Sequence, residues 1–95
     1  MKYIRVKWNH TNSDEAVWLF SEIDAEGMEV RKIECFKNGF CDIASPTESS
    51  GSTKLSTRKL PKLADLARDP EFEPKEITKE EFEEVWRKRR YKSSN

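Results

Sequence analysis

The sequence predicts an α+β domain: a four-stranded antiparallel meander over residues 1–45, followed by two C-terminal helices packed on it. Three observations carry this. Short runs of alternating or apolar residues in the first 45 positions are separated by turn residues. After residue 58 the apolar spacing becomes helical. The stretch from Thr78 onward carries a full set of helix-start signals. At 95 residues, 35% apolar and 38% charged, the chain suffices for one domain with a thin core and a densely charged surface.

Each element follows in order. "YIRVKW" puts Ile4, Val6 and Trp8 on one face of a strand and Tyr3, Arg5 and Lys7 on the other. "NHTNSDE", residues 9–15, is turn chemistry. "AVWLFSEID" is a second strand, apolar on both faces, with Val17, Leu19 and Ile23 against Trp18 and Phe20. "AEG" turns the chain, "MEVRKIECF" reads as a third strand and "FCDIA" as a fourth. A polar loop occupies 46–54, and a short fifth strand is a further option near Leu55.

The helical part spans 58–91. Leu60, Leu63, Ala64, Leu66 and Ala67 lie at helical spacing, with Pro61 suited to a first turn. "DPEFEPKE" breaks this helix with two prolines. In "ITKEEFEEVWRKRRYK", Thr78 and Glu81 form a capping box and Ile77 and Phe82 a hydrophobic staple. Phe82, Val85 and Trp86 are its buried stripe, and Glu83–Arg87 and Glu84–Lys88 stand at i,i+4. Residues 92–95 are expected to fray.

The only two cysteines, Cys35 and Cys41, flank an Asn-Gly. A two-residue turn would put their sulfurs on opposite faces. A three-residue turn, Lys37-Asn38-Gly39, pairs Phe36 with Phe40 and Cys35 with Cys41, joining both to Ile33 and Ile43 on one apolar surface. The expectation is a pair of buried cross-strand neighbours, reduced in a cytoplasm, with a disulfide as the alternative. Two thiols and one histidine cannot fill a tetrahedral metal site, and no C-x-x-C redox motif is present. No metal or cofactor is expected.

Eighteen basic residues balance eighteen acidic ones, giving no electrostatic reason to expect nucleic acid or an anionic membrane. The first 48 residues are net acidic and the remainder net basic. "MKYIRVKW" is no secretory signal and no segment is long enough to span a bilayer, so a cytoplasmic protein is expected.

Candidate sites are few. His10, the lone histidine, stands near Asp14 and Glu15 in a loop and could serve an enzyme together with Glu22. Trp18 and Phe20, with Glu22 and Asp24, could form an aromatic and acidic surface for a protein partner, since a double-faced second strand leaves apolar area to cover. Arg87, Arg89 and Arg90, in "RKRRYK", are the alternative, a nucleic-acid contact.

"KW", His10, "SEID", "EVRK", the "NG" turn, "DPEFE" and "ITKEEFEEVW" together resemble a family of small bacterial proteins known only as a domain of unknown function. The resemblance spans nearly the whole chain and implies a shared fold, with no assigned activity. Stand-alone bacterial domains of this size are often immunity proteins or antitoxins, an analogy of genre. The expected function is therefore non-enzymatic protein binding, in its most concrete form an immunity or antitoxin protein that blocks a toxin. Nucleic-acid binding and a His10 hydrolase stand behind it.

Overall fold

The computed structural model of the chain describes residues 1–12 and 14–93, the last five of these by backbone alone. Five strands form one antiparallel sheet: β1 (Lys2–Trp8), β2 (Trp18–Ile23), β3 (Glu29–Cys35), β4 (Cys41–Ala44) and β5 (Phe72–Ile77), in the order β4-β3-β2-β1-β5. Helix α1 (Leu63–Leu66) is a single turn, and α2 (Lys79–Ser93) follows β5 directly. The α+β meander with two later helices is what the periodicity predicted.

The fifth strand lies elsewhere than expected. It is not near Leu55 but in "FEPKEI", inside the stretch assigned to the helical part 58–91 and read as a proline break. The hydrogen bonds explain why Pro74 is tolerated. Asn9 N–H donates to Glu71 C=O, so β1 and β5 exchange bonds through the odd-numbered pairs Lys7–Glu73, Arg5–Lys75 and Tyr3–Ile77. Pro74 sits at an alternate position, where its missing N–H would point outward from the edge.

The other edge is covered by the polar loop. Ser50 N–H donates to Ile43 C=O, Ile43 N–H donates to Ser50 Oγ, and Ser49 bridges to Ala44. Segment 46–50 thus doubles back along β4.

Both sheet faces are covered. On one, α2 seats Phe82, 0% exposed, against Tyr3, Ile33, Cys35, Cys41, Ile43 and Ile77. On the other, residues 53–66 cross the sheet: Leu60, Leu63 and Leu66 pack on Ile4, Val6 and Ile23, and Leu60 N–H donates to Gly27 C=O. The expected helix at 60–67 shortens to one turn because Pro61 and Lys62 remain extended ahead of it (Lys62 φ −68°, ψ 152°). Leu63 and Leu66 nevertheless share the core side of that turn by i,i+3 spacing, and Leu60 reaches the same core from the non-helical segment ahead of it.

The β2–β3 register shifts between Glu22 and Ile23, so Glu22 opposes Arg31 while Ile23 opposes Glu29. This bulge sends Arg31 and Glu29, two residues apart, to opposite faces. Buried Glu29 accepts from Ser21 Oγ at 2.7 Å and from Ser56 N–H at 2.8 Å beneath the 53–66 cover.

The capping box forms as expected. Glu81 N–H donates to Thr78 Oγ1 (3.1 Å) and Thr78 N–H to Glu81 Oε1 (3.2 Å). Lys88 pairs with Glu84 at 3.0 Å. Glu83 does not pair with Arg87; it turns to the sheet and binds Arg31.

Candidate functional site

The cysteine hairpin takes the three-residue register. Phe36 N–H donates to Phe40 C=O, Gly39 adopts φ 91°, and Cys35 opposes Cys41 with Cα atoms 4.1 Å apart. Such a separation suits a non-hydrogen-bonded pair, whose side chains lie closest. The expectation of reduced thiols is corrected, because the two sulfurs are joined in a disulfide. Side chains already aligned across two strands need no backbone movement to form it.

Helix α2 does not cover its whole face. It begins over β1, where Phe82 meets Tyr3 with ring centroids 5.3 Å apart, and lies against β4. Over the far half of β1 and β2 it leaves a groove of about 270 Å³, lined by Arg5, Trp18, Phe20, Cys35, Ile77, Glu81 and Val85. The register builds this site: Arg5 opposes Phe20, Lys7 opposes Trp18, Trp18 opposes Cys35, and Lys75 opposes Arg5. Trp18 and Phe20, predicted together, do lie together, half-buried.

Around the groove the cations Arg5, Lys7 and Lys75 outnumber the carboxylates, which are Glu81 in the lining and Glu73 opposite Lys7, the latter accepting from Asn9 Nδ2. The Arg5 guanidinium stands 5.2 Å and the Lys7 ammonium 5.9 Å from the Trp18 ring centroid. Among the described residues, Arg5, Lys7 and Lys75 make no ion pair. Glu81, the one carboxylate in the lining, has Oε1 engaged by the Thr78 cap.

The acidic half of the predicted surface is not there. Glu22 is 6% exposed, and its carboxylate takes Arg31 Nε at 2.6 Å, Arg31 Nη2 at 2.9 Å and the Tyr3 hydroxyl at 2.9 Å. Arg31's hydrogen bonds hold its carboxyl below the usual range despite burial, while burial and the adjacent carboxylate push the Tyr3 phenol up. Arg31 also grips Glu83 with two bonds of 2.9 Å and lies 4.9 Å from the Phe82 and Trp86 ring centroids. Asp24 closes the β2–β3 turn instead, its Oδ1 accepting from Glu26 and Met28 N–H at 2.9 Å each. Both carboxylates are structural.

His10 is a turn residue. Its Nδ1 accepts from Asn12 N–H at 3.1 Å and its Nε2 lies 2.7 Å from Ala16 C=O, which fixes the Nε2–H tautomer. It follows the Trp8 end of β1, whereas Glu22 opposes Tyr3 at the other end, about 16 Å away by strand rise. The His10–Glu22 pairing does not form. Arg87 is exposed, and the side chains of Arg89 and Arg90 lie outside the described residues.

Sequence reasoning missed Arg5 and Lys7 as partners of Trp18, Lys75 as the neighbour of Arg5, and Arg31 as the link between sheet and α2. The first miss follows from the nine-residue β1–β2 connection, too long to fix a register by turn type. The last was legible in principle, because Glu22 and Arg31 sit almost symmetrically about the Asp24–Gly27 turn.

Among the described residues no helix is long and apolar enough to cross a membrane. Neither a curated protein nor a solved structure shows detectable similarity to the chain. A family does, matching residues 2–91, nearly the full length; the chain belongs to the family described as Domain of unknown function (DUF6881).

Proposed function

We propose that the protein is a binding domain whose groove receives a large apolar side chain from a protein partner, with carboxylates flanking that anchor. The observation that carries this is an aromatic and aliphatic floor (Trp18, Phe20, Ile77, Val85) beside three cations that have no ion pair among the described residues. Half-buried aromatic area edged by unpaired charge suits a side-chain anchor with an oppositely charged rim. An immunity or antitoxin role is one form of this reading. The surface then fits an acidic patch on the toxin, since Glu22 and Asp24 are consumed by the fold.

A peptide anchor suits the site better than a nucleic acid. A base stacking on Trp18 would have to displace the Arg5 and Lys7 cations that lie against its ring, whereas Phe20, Ile77 and Val85 leave the rest of the floor to an apolar side chain. The test is an amide-resolved NMR titration with short peptides bearing a central Trp, Phe or Leu flanked by Glu/Asp or by Lys. Acid-flanked peptides should shift β1, β2 and α2 amides, weaken with salt, and fail on Trp18→Ala. Equal binding of Lys-flanked peptides, shifts mapping elsewhere, or tighter binding of a single-stranded oligonucleotide would each overturn the proposal.

A further inference from the structure

The disulfide belongs to the core but reaches the groove on one side. Cys35 forms part of the groove wall, opposite Trp18, and is 7% exposed; Cys41 stands behind it at 2%. Of the two cysteines, therefore, Cys35 lines the groove and the more deeply buried Cys41 does not. Thiol–disulfide exchange requires a thiolate to reach a sulfur along the S–S axis, so access decides which sulfur is attacked. The same space is rimmed by Arg5, with Lys7 and Lys75 beside it, which raises the local concentration of anions and favours a thiolate over a thiol.

We propose that Cys35–Cys41 is an exchange site for anionic low-mass thiols of the glutathione class, entering through the groove. The thiolate attacks Cys35 Sγ, forming a new S–S bond there. The Cys35–Cys41 bond breaks, and Cys41 leaves with the electron pair and takes a proton from water. No net oxidation occurs in this step. A second thiol molecule attacking the mixed disulfide would release the oxidised dimer and leave both cysteines reduced. Otherwise Cys41, held across the strand pair, re-attacks and expels the adduct. Cys35 is thus the modified residue and Cys41 the resolving one.

The consequence for docking rests on the function proposed above: a glutathionyl group on Cys35 occupies the groove and competes with an apolar anchor. The chemistry itself is read without any partner. A failed exchange test leaves the groove reading standing, and a failed peptide titration leaves the exchange site standing.

The experiment has three arms. In wild-type protein exposed briefly to reduced glutathione and quenched with acid, peptide mapping should place the adduct on Cys35. With oxidised glutathione as probe, Cys41→Ser should be modified about tenfold or more faster than Cys35→Ser, whose remaining cysteine is the more deeply buried one. Thioglycolate should open the wild-type disulfide about tenfold faster than cysteamine at low salt, after normalising both to a small soluble disulfide; the ratio should collapse in high salt and in Arg5→Glu. Adducts on Cys41, equal rates for the two serine variants, or no charge preference would overturn the proposal. The wild-type arms keep it testable if a serine variant fails to fold.

Discussion

Replacing Arg31 with methionine, which keeps the stem and removes the charge, tests the bond between sheet and helix. The side chain is 17% exposed and meets Glu22, whose side chain is 8% exposed, and Glu83, at 37%. Breaking a buried pair by removing one member leaves the other charge uncompensated, a cost of about 3 kcal/mol at the low end of the usual range. The Glu83 contacts are more exposed and add at most about 0.5 kcal/mol. The lost contacts with Phe82 and Trp86 add about 1 kcal/mol, which the methionine stem partly restores. The sum, about 3–4 kcal/mol, compares with a total of about 5–14 kcal/mol for a domain of this size, and corresponds to a Tm lower by roughly 12–30 °C.

Thermal unfolding followed by circular dichroism from pH 3 to 8 gives both magnitude and sign. In the wild type, Glu22 and Glu83 have folded-state pKa values below their unfolded ones, chiefly through Arg31. Their contribution is complete above the unfolded value, about 4.3, and is lost as pH falls through the folded values. Without Arg31, burial is the largest remaining influence on Glu22 and acts upward. The variant should therefore lose less stability on acidification than the wild type, and Glu22→Gln added to it should recover a substantial part of the loss. A variant within about 1 kcal/mol of wild type, with the acid limb unchanged, would refute the reasoning.

Three further outcomes follow from the fold. Reducing the disulfide with a strong dithiol should cost roughly 2 kcal/mol in urea unfolding, because cysteines only six residues apart close a short loop. Thr78→Ala should lower stability by about 1 kcal/mol by removing the hydroxyl that caps α2, with Thr78→Ser close to neutral. Pro74→Val should restore an outward N–H on β5 and increase self-association, read as a concentration-dependent rise in sedimentation coefficient; a variant as monodisperse as the wild type would show the proline is not what protects that edge.

Much of the architecture was legible because the signals were local. The Cys35–Cys41 register follows from a turn and two apolar neighbours, and the start of α2 from four residues around Thr78. What escaped depended on distant pairing. "FEPKEI" carries little strand periodicity, since only Phe72 and Ile77 bury apolar area and proline occupies an alternating position. It is a strand because β1 offers it a partner. Likewise Glu22 and Asp24 look alike as neighbouring acids on a strand. Only the bulge and the turn show that one is buried against Arg31 while the other closes a loop. Trp18 and Phe20 were identifiable as a pair, but the sign of the charge around them was not, because that charge comes from β1 and β5.

The position of β5 also orders events in time. Strands β1 to β4 join through neighbouring segments, and all three of their ladders can zip as soon as each turn closes, whereas β5 reaches β1 from the far end of the chain. Loop closure over that span makes it the late step, with α2 arriving behind it. On a ribosome, β1 is the first strand made and the last to have its second edge paired. Until residues 72–77 emerge, its Tyr3-to-Trp8 edge stays unsatisfied, and with α2 still to come Ile33 and Ile43 lack their cover. The interval before the C-terminal quarter docks is when the nascent chain most needs protection from pairing with another copy.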